Sequence, residues 1–374
     1  MKIKKIKLVT ILGTRPEIIR LSRIIPKLDR FFDHILIHTG QNYDQNLNDI
    51  FFKDLKLRKP NFIFNNSSKN NIISISKILQ ETDKILAKFN PDAFFVLGDT
   101  NSALSAIVAR KKKIPIFHYE AGNRCFDLRV PEESNRRIVD TISDINITYS
   151  KISREHLLRE GFQSNRVINI GSPMKEILTH YKSEISKSKI LESLKLTKKN
   201  YIVLSSHREE NVDSVENFTM LTNIIKFLNH KYKYKVIVSV HPRIRDKIKN
   251  LSKKDLNKII FCKPFSFTDY IKLQQNSKVV LSDSGTLNEE SSILNFDAIN
   301  LRNSHERPEA DEEAVTLMTG LDLIRLSQAM EYIFEKKSEK KNIVDDYSKD
   351  NVSDKLVRII LNHINFINEN NYKR

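Results

Sequence analysis

The chain has 374 residues, 40% of them hydrophobic and 29% charged, with a formal net charge of +17 at pH 7 and two cysteines. That length exceeds one ordinary core and suits two domains, and the composition is that of a globular protein rather than a disordered or low-complexity one. The lysines are scattered, as at Lys189, Lys195, Lys198 and Lys199, without a basic run interleaved with aromatics and without a zinc-finger or RNA-binding signature, so the charge reads as a basic surface that attracts anions rather than a nucleic-acid footprint. Cys125 and Cys262 are too far apart for a CxxC site, and a structural disulfide is not expected. Neither a signal-like stretch behind Met1–Ile6 nor a run long enough to cross a membrane is visible, so the expected compartment is the cytoplasm, with no membrane insertion.

In chain order, short apolar runs alternate with amphipathic stretches. Ile6 to Leu12, His34 to Thr39, Ala93 to Leu97, Ile114 to His118 and Ile145 to Thr148 read as strands. Ile75, Ile78, Leu79, Leu86 and Phe89, and then Ala103, Leu104, Ile107 and Val108, fall at helical spacing between them. The series restarts at Tyr201 to Leu204 and continues through Val236 to Val240, Ile259 to Cys262, Val279 to Leu281 and Ala298 to Leu301. Strands alternating with helices imply parallel sheets covered on both faces. The predicted class is therefore α/β, with two Rossmann-like domains facing a central cleft. The first is expected over residues 1–174 and the second over 175–351, with a boundary between Gly171 and Lys199. Asp213 and Glu216 are predicted to cap the helix through Phe218, Leu221, Ile225 and Leu228. A last helix over 352–370 carries Leu356, Ile359, Ile360 and Ile364 on one face and is expected to pack back on the first domain.

Polar motifs fall just after predicted strands, where open α/β sheets bind ligands. Gly13-Thr14-Arg15-Pro16-Glu17 offers a tight turn, exposed amides and a guanidinium for an anion, or simply a strand-to-helix turn. Neither G-x-G-x-x-G nor a P-loop occurs, which speaks against dinucleotide and Walker-type sites. Gly98-Asp99-Thr100 follows, with Asp99 either a functional carboxylate or an N-cap. Next come His118-Tyr119-Glu120-Ala121-Gly122-Asn123-Arg124, Asp127 and Pro131-Glu132-Glu133-Ser134-Asn135-Arg136-Arg137. Carboxylates from separate strand ends that meet on one ring are what proton transfer at carbon needs, although Glu133 and Arg136 also suit a helix dipole and a local ion pair.

In the second half, His207 directly follows a strand within Ser205-Ser206-His207-Arg208-Glu209-Glu210-Asn211 and can donate to a phosphate or serve structure alone. Ser284, Gly285 and Thr286, in Asp283-Ser284-Gly285-Thr286-Leu287-Asn288-Glu289-Glu290, open a helix whose first amides suit a diphosphate, with Glu290 one turn on for ribose hydroxyls. Arg307, in His305-Glu306-Arg307-Pro308-Glu309, is a further charge partner or a surface-loop residue. His305-Glu306 lacks the second histidine of a zincin, His118, Glu120 and His207 would be metal ligands only if the fold gathered them, and no G-x-S-x-G supports a hydrolase elbow.

Together, in this order and over nearly the whole chain, these motifs resemble the UDP-N-acetylglucosamine 2-epimerase family. The segment from His118 to Glu133 looks like the branch that makes UDP-N-acetyl-L-fucosamine from UDP-2-acetamido-2,6-dideoxy-β-L-talose. Asn123-Arg124-Cys125-Phe126 stands where typical UDP-N-acetylglucosamine 2-epimerases carry Leu-Arg-Thr-Gly, and Lys263-Pro264-Phe265 and Ser291 to Phe296 are similar to the fucosamine branch as well. Arg20 and Thr286 depart from the better-known epimerases, which carry Lys and Gly there.

The resemblance implies the two-domain architecture of many glycosyltransferases, a homodimer, a UDP-sugar substrate, UDP as ligand, and neither NAD nor a metal. It assigns catalytic roles to Asp99, Glu120, Glu132 and His207, and nucleotide contacts to Arg15, Arg20, Tyr270, Ser284, Gly285, Thr286, Glu290 and Arg307. The reaction it implies is C2 epimerisation by elimination and readdition of UDP, for a surface polysaccharide such as O-antigen or capsule. A hydrolysing epimerase and a UDP-sugar glycosyltransferase are the alternatives.

Overall fold

Near-continuous runs of Ile, Val, Leu and Phe suit strands buried on both faces, and such runs become the sheets. The computed structural model describes residues 5–41, 51–66, 70–206, 214–240, 256–336 and 342–372. The chain forms two units, one of Met1–Thr179 with Asp345–Arg374 and one of His180–Val344.

The first unit holds β1 (Lys7–Leu12), β2 (Asp33–His38), β3 (Phe62–Ile63), β4 (Ala93–Leu97), β5 (Ile116–Ala121), β6 (Ile145–Thr148) and β7 (Val167–Asn169). Their order is β3-β2-β1-β4-β5-β6-β7, and every pairing is parallel. Val9, Ile11, Phe94, Val96 and Ile116 pack against Leu86 of the helix Asn71–Phe89 and Ala106 and Ala109 of the helix Ala106–Lys111. The segment expected to be one helix from Ala103 begins as a 3-10 turn, Ala103–Ser105, before the α-helix proper. The helix Val352–Ile367 buries Leu356, Ile360 and Ile364 and lies on the helix Ile24–Phe31, where Lys27 pairs with Asp354 at 2.6 Å.

The second unit holds β8 (Tyr201–Ser206), β9 (Lys235–Val240), β10 (Ile259–Cys262), β11 (Val279–Ser282), β12 (Ala298–Asn300) and β13 (Leu317–Met318). The order is β10-β9-β8-β11-β12-β13, again parallel throughout. Along β8, Ile202 and Leu204 face Leu221, Ile225 and Met330, whereas Tyr201 and Val203 face Leu273 and Leu287. Each such fully buried side chain stabilises by about 1.5–3 kcal/mol before entropy is counted. The helix Val215–Lys231 is capped by Ser214, whose side chain accepts from the Asn217 N–H, one residue later than expected; Asp213 lies outside the described residues.

Each unit thus repeats one plan, in which the chain starts in the middle of the sheet, adds strands to one side, then crosses to the other. The switch points lie between β1 and β4 and between β8 and β11, and the loops leaving those strands flank a crevice. Both cysteines are free thiols, and among the described residues no helix is long and apolar enough to cross a membrane.

Candidate active site

At the first switch point, the turn after β1 enters the helix Arg15–Leu21. Adding a Cβ to Gly13 would bring it within 2.1 Å of Thr39 Oγ1 and 2.2 Å of Ser102 Oγ, so only glycine fits there. Glu17, at the third helical position, folds back over the turn: its Oε2 accepts from the Gly13 N–H (3.0 Å), the Thr14 N–H (2.7 Å) and the Thr14 hydroxyl (2.8 Å). Its Oε1 accepts from the Thr100 hydroxyl at 3.1 Å. Burial pushes the Glu17 carboxyl up to about 7 in spite of those hydrogen bonds. Arg15 is half-buried with its guanidinium over the Phe51 ring, 5.4 Å from the centroid.

Glu120 is the last residue but one of β5, at an irregularity of register between Tyr119 and Ala121. Its φ of +71° is unusual for a glutamate, and its side chain is buried. Strain of this kind persists where the surroundings over-determine it, commonly at functional positions. Here Arg20 holds the carboxylate, with Nη1 2.5 Å from Oε2. Gly98 lies alongside with a φ of +72°, and a Cβ there would stand 3.1 Å from the same Oε2. Asp99, the next residue, therefore leaves β4 beside the Glu120 carboxylate.

Asp99 is held from the helix Pro131–Ile142. Arg136 Nε donates to Asp99 Oδ2 at 3.0 Å, and Nη2 makes a second, shorter bond to the same oxygen. Arg136 Nη1 meets Glu133 at 2.7 Å, and Asn135 donates to the Asp99 carbonyl at 3.0 Å. Asp99 is thus engaged by an arginine rather than capping a helix, and Arg136 serves the local ion pair that its sequence position allowed. Glu133 is fully buried; burial raises its carboxyl, but the Cys125 N–H and the Arg136 charge outweigh this and hold it below the ordinary range. Its neighbour Glu132 is half-buried and has no hydrogen-bond or ion-pair partner among the described residues.

His118 sits within this framework. It is fully buried, with Nε2 2.9 Å from the Gly98 carbonyl and Nδ1 2.9 Å from Asp140. Asp140 also accepts from Arg124 (2.7 Å) and is kept well below the ordinary carboxylate range; burial opposes this, and His118 and Arg124 overcome it. Arg124 extends to Glu160 at 2.6 Å. Among the described residues no group of three metal-ligating side chains is gathered. His207 lies outside the described residues.

At the second switch point, Asp283 follows β11 and accepts from the Ser206 hydroxyl at 2.8 Å. Ser284 and Gly285 lead to Thr286, the N-cap of the helix Leu287–Leu294. The Ser284 and Thr286 hydroxyls are 3.1 Å apart, and Thr286 donates onward to Glu290 Oε1 at 2.7 Å. The other Glu290 oxygen accepts from Gln274 at 2.7 Å. Gln274 and Tyr270 lie one turn apart on the helix Phe267–Asn276, and the Tyr270 ring is stacked against Phe265 at 6.4 Å. Arg307 is buried, its Nε 3.6 Å from Glu289 of the helix that Thr286 opens. Ser284, Gly285, Thr286, Glu290, Tyr270 and Arg307 therefore share one corner of the second sheet: hydroxyls and a helix start for an anion, and an aromatic ring and a carboxylate beside them.

Arg20, expected to meet an anion, spends Nη1 on Glu120. Glu17, Asn135, His118 with Asp140, and Gln274 are the polar residues that sequence reasoning left without a role. Glu17 had a signal, a glutamate three residues after Thr14 at a helix start. Gln274 had none.

The family model described as "UDP-N-acetylglucosamine 2-epimerase" matches residues 27–361. A UDP-N-acetylglucosamine 2-epimerase from Methanocaldococcus jannaschii is 34% identical over 95% of this chain and 98% of its own length. The UDP-2,3-diacetamido-2,3-dideoxy-D-glucuronate 2-epimerase of Pseudomonas aeruginosa is 31% identical over 80% of this chain and 84% of its own. Among solved structures, UDP-N-acetylglucosamine 2-epimerase from Rickettsia bellii is similar with a TM-score of 0.93 and 43% identity, covering 99% of this chain and 100% of that one. The M. jannaschii UDP-GlcNAc 2-epimerase in complex with UDP-GlcNAc and UDP has a TM-score of 0.87 and 34% identity, covering 96% of this chain and 100% of its own.

Proposed function

The chain belongs to the UDP-N-acetylglucosamine 2-epimerase family, and from that premise we propose that it is an isomerase inverting C2 of a UDP-linked 2-acetamido sugar by elimination and readdition of UDP. The observation that carries the mechanism is the convergence of Asp99 and Glu120 at one strand-end crevice, each engaged by a buried arginine. The C2 proton of such a sugar has no adjacent carbonyl to acidify it. A carboxylate takes the proton, the C2–H electron pair becomes the C1=C2 bond, and the C1–O pair leaves with UDP, giving a 2-acetamidoglycal. Protonation of C2 from the opposite face, with UDP oxygen returning to C1, completes the inversion. Because a proton departs from one face and arrives on the other, two acid–base groups are needed; Asp99, Glu120 and Glu132 are the proposed set, with His207.

The leaving diphosphate must be stabilised electrostatically. Arg15 in the first unit and Ser284, Gly285, Thr286 and Arg307 in the second are the proposed contacts, with Tyr270 against the base and Glu290 at the ribose. Glu290 already accepts from Gln274 and Thr286, and ribose hydroxyls would use its remaining lone pairs. No hydride leaves the sugar along this route, so it needs no NAD, and in this scheme the side chains above meet the diphosphate charge without a metal. Glycal hydrolysis is avoided if the bound state keeps water out.

For the sugar itself, the segment from Asn123 to Glu133 supports UDP-2-acetamido-2,6-dideoxy-β-L-talose. Asn123 within it is buried, so Phe126, which is exposed where typical UDP-N-acetylglucosamine 2-epimerases carry Gly, is where that segment differs on its surface. The similarity to the UDP-N-acetylglucosamine 2-epimerases of M. jannaschii and R. bellii favours UDP-N-acetylglucosamine as the second reading. Proton NMR of the two sugars incubated separately with the purified protein separates them: the first reading expects L-fuco product from the talose sugar alone. Turnover of UDP-N-acetylglucosamine alone would transfer the assignment to the second. Assembly as a homodimer and a place in surface-polysaccharide precursor synthesis accompany this proposal.

A further inference from the structure

Glu17 handles no proton in the scheme above, yet its carboxylate joins two loops of the first unit. Oε2 takes three hydrogen bonds from Gly13 and Thr14, the turn that leads into Arg15, and Oε1 takes one from Thr100, the residue after Asp99. The turn at Gly98 starts from a φ of +72°, which a glycine enters freely and also leaves freely, so its geometry depends on restraints from outside. His118 on the Gly98 carbonyl and the Gly98 N–H on the Tyr119 carbonyl fasten the turn to β5, and Asn135 on the Asp99 carbonyl with Arg136 on the Asp99 carboxylate fastens it to the helix Pro131–Ile142. Glu17, on the Thr100 hydroxyl, fastens it to the loop that carries Arg15.

We propose that Glu17 is a positioning residue that sets Asp99 relative to Arg15 by clamping Thr100 to the turn after β1. This rests on the elimination reading, in which Arg15 meets the departing UDP and Asp99 serves the C2 proton. A proton acceptor displaced relative to the leaving group loses the alignment on which concerted use of both depends. The Glu17 carboxylate is buried, which limits competition from water for its hydrogen bonds.

The test compares Thr100→Val, Glu17→Ala, Glu17→Gln and the double variant Glu17→Ala/Thr100→Val, reading UDP affinity by calorimetry and kcat by C2 exchange. Thr100→Val removes the clamp and leaves the turn after β1 intact: UDP affinity is expected to stay within about twofold while kcat falls roughly 10- to 100-fold. Glu17→Ala loses both, weakening UDP binding as well as kcat. In the double variant kcat falls no further than in Glu17→Ala, since both changes remove one contact. Glu17→Gln, whose amide oxygen still accepts from Gly13 and Thr14 and whose amide nitrogen can donate to Thr100, is expected to recover kcat to within a few-fold. Wild-type kcat in Thr100→Val overturns the proposal, even if Glu17→Ala does not fold, and so do losses that multiply in the double variant. A wild-type protein that binds UDP without exchanging C2 of any UDP-2-acetamido sugar would instead sink the elimination reading, and this proposal with it.

Discussion

The crevice between β1 and β4 and the one between β8 and β11 arise from the same strand order, but their linings differ in kind. In the first, acids are buried or half-buried and engaged by cations or by a set of donors: Glu120 by Arg20, Asp99 by Arg136, Glu17 by Gly13, Thr14 and Thr100. In the second, the loop offers neutral hydroxyls, a glycine and a helix start; Asp283 accepts from the Ser206 hydroxyl, Glu290 from an amide and a hydroxyl, and Glu289 lies 3.6 Å from Arg307. A lining of engaged carboxylates suits proton movement at carbon, and a lining of neutral donors suits the capture of an anion. The fold decides where a ligand can sit, and the side chains decide what happens to it.

The sharpest way to break this contrast is to remove a cation from the first crevice. Arg20→Met removes a cation from the buried Glu120 carboxylate and is expected to cost about 3–5 kcal/mol in denaturant unfolding. A loss under about 1 kcal/mol would place the pair among weak surface bridges and dissolve the distinction. Acid titration tests the same crevice through Glu17. Its carboxyl is raised from 4.5 to about 7 in the folded protein, so its contribution to stability is fully present below the unfolded value and is lost as pH rises through the folded one. Relative to wild type, Glu17→Gln should therefore gain stability between pH 4.5 and 7, by about 3 kcal/mol at the upper end. A difference that does not vary with pH would show that Glu17 is not raised.

Function divides the two crevices next. Asp99→Asn or Glu120→Gln should each lower turnover by at least roughly 10²-fold while leaving UDP binding largely intact; near-normal turnover in both would remove the proton-transfer assignment. Ser284→Ala, in the second crevice, should do the reverse: UDP affinity is expected to fall about tenfold, with kcat at saturating sugar little changed. A kcat loss without an affinity loss there would mean that the second crevice takes part in chemistry as well.

Much of this was legible in the sequence because buried parallel strands announce themselves as apolar runs. β4, β6 and β10 begin and end where the runs do. β3, β7 and β13 were not, since two or three residues at a sheet edge carry no periodicity. Asp99 and Glu120 stood out as acids at strand ends, but the grip of Arg136 on Asp99 depends on how the helix Pro131–Ile142 is rotated about its axis, and spacing does not encode that. Gln274 reaches Glu290 from another helix, a contact that exists only after folding. The cap at Ser214 rather than Asp213 shows the ordinary limit at helix ends, where neighbouring residues of the same chemistry compete.

The central claim is that C2 is inverted by proton exchange with carboxylates of the first unit. Incubating the wild-type protein in D₂O with UDP-2-acetamido-2,6-dideoxy-L-talose, and separately with UDP-N-acetylglucosamine, and following C2 by proton NMR tests it directly. The account predicts deuterium at C2 of the epimer, with incorporation lost in Asp99→Asn and Glu120→Gln. Epimer that retains its original C2 hydrogen, or sugar transfer to an added acceptor without any C2 exchange, would contradict it.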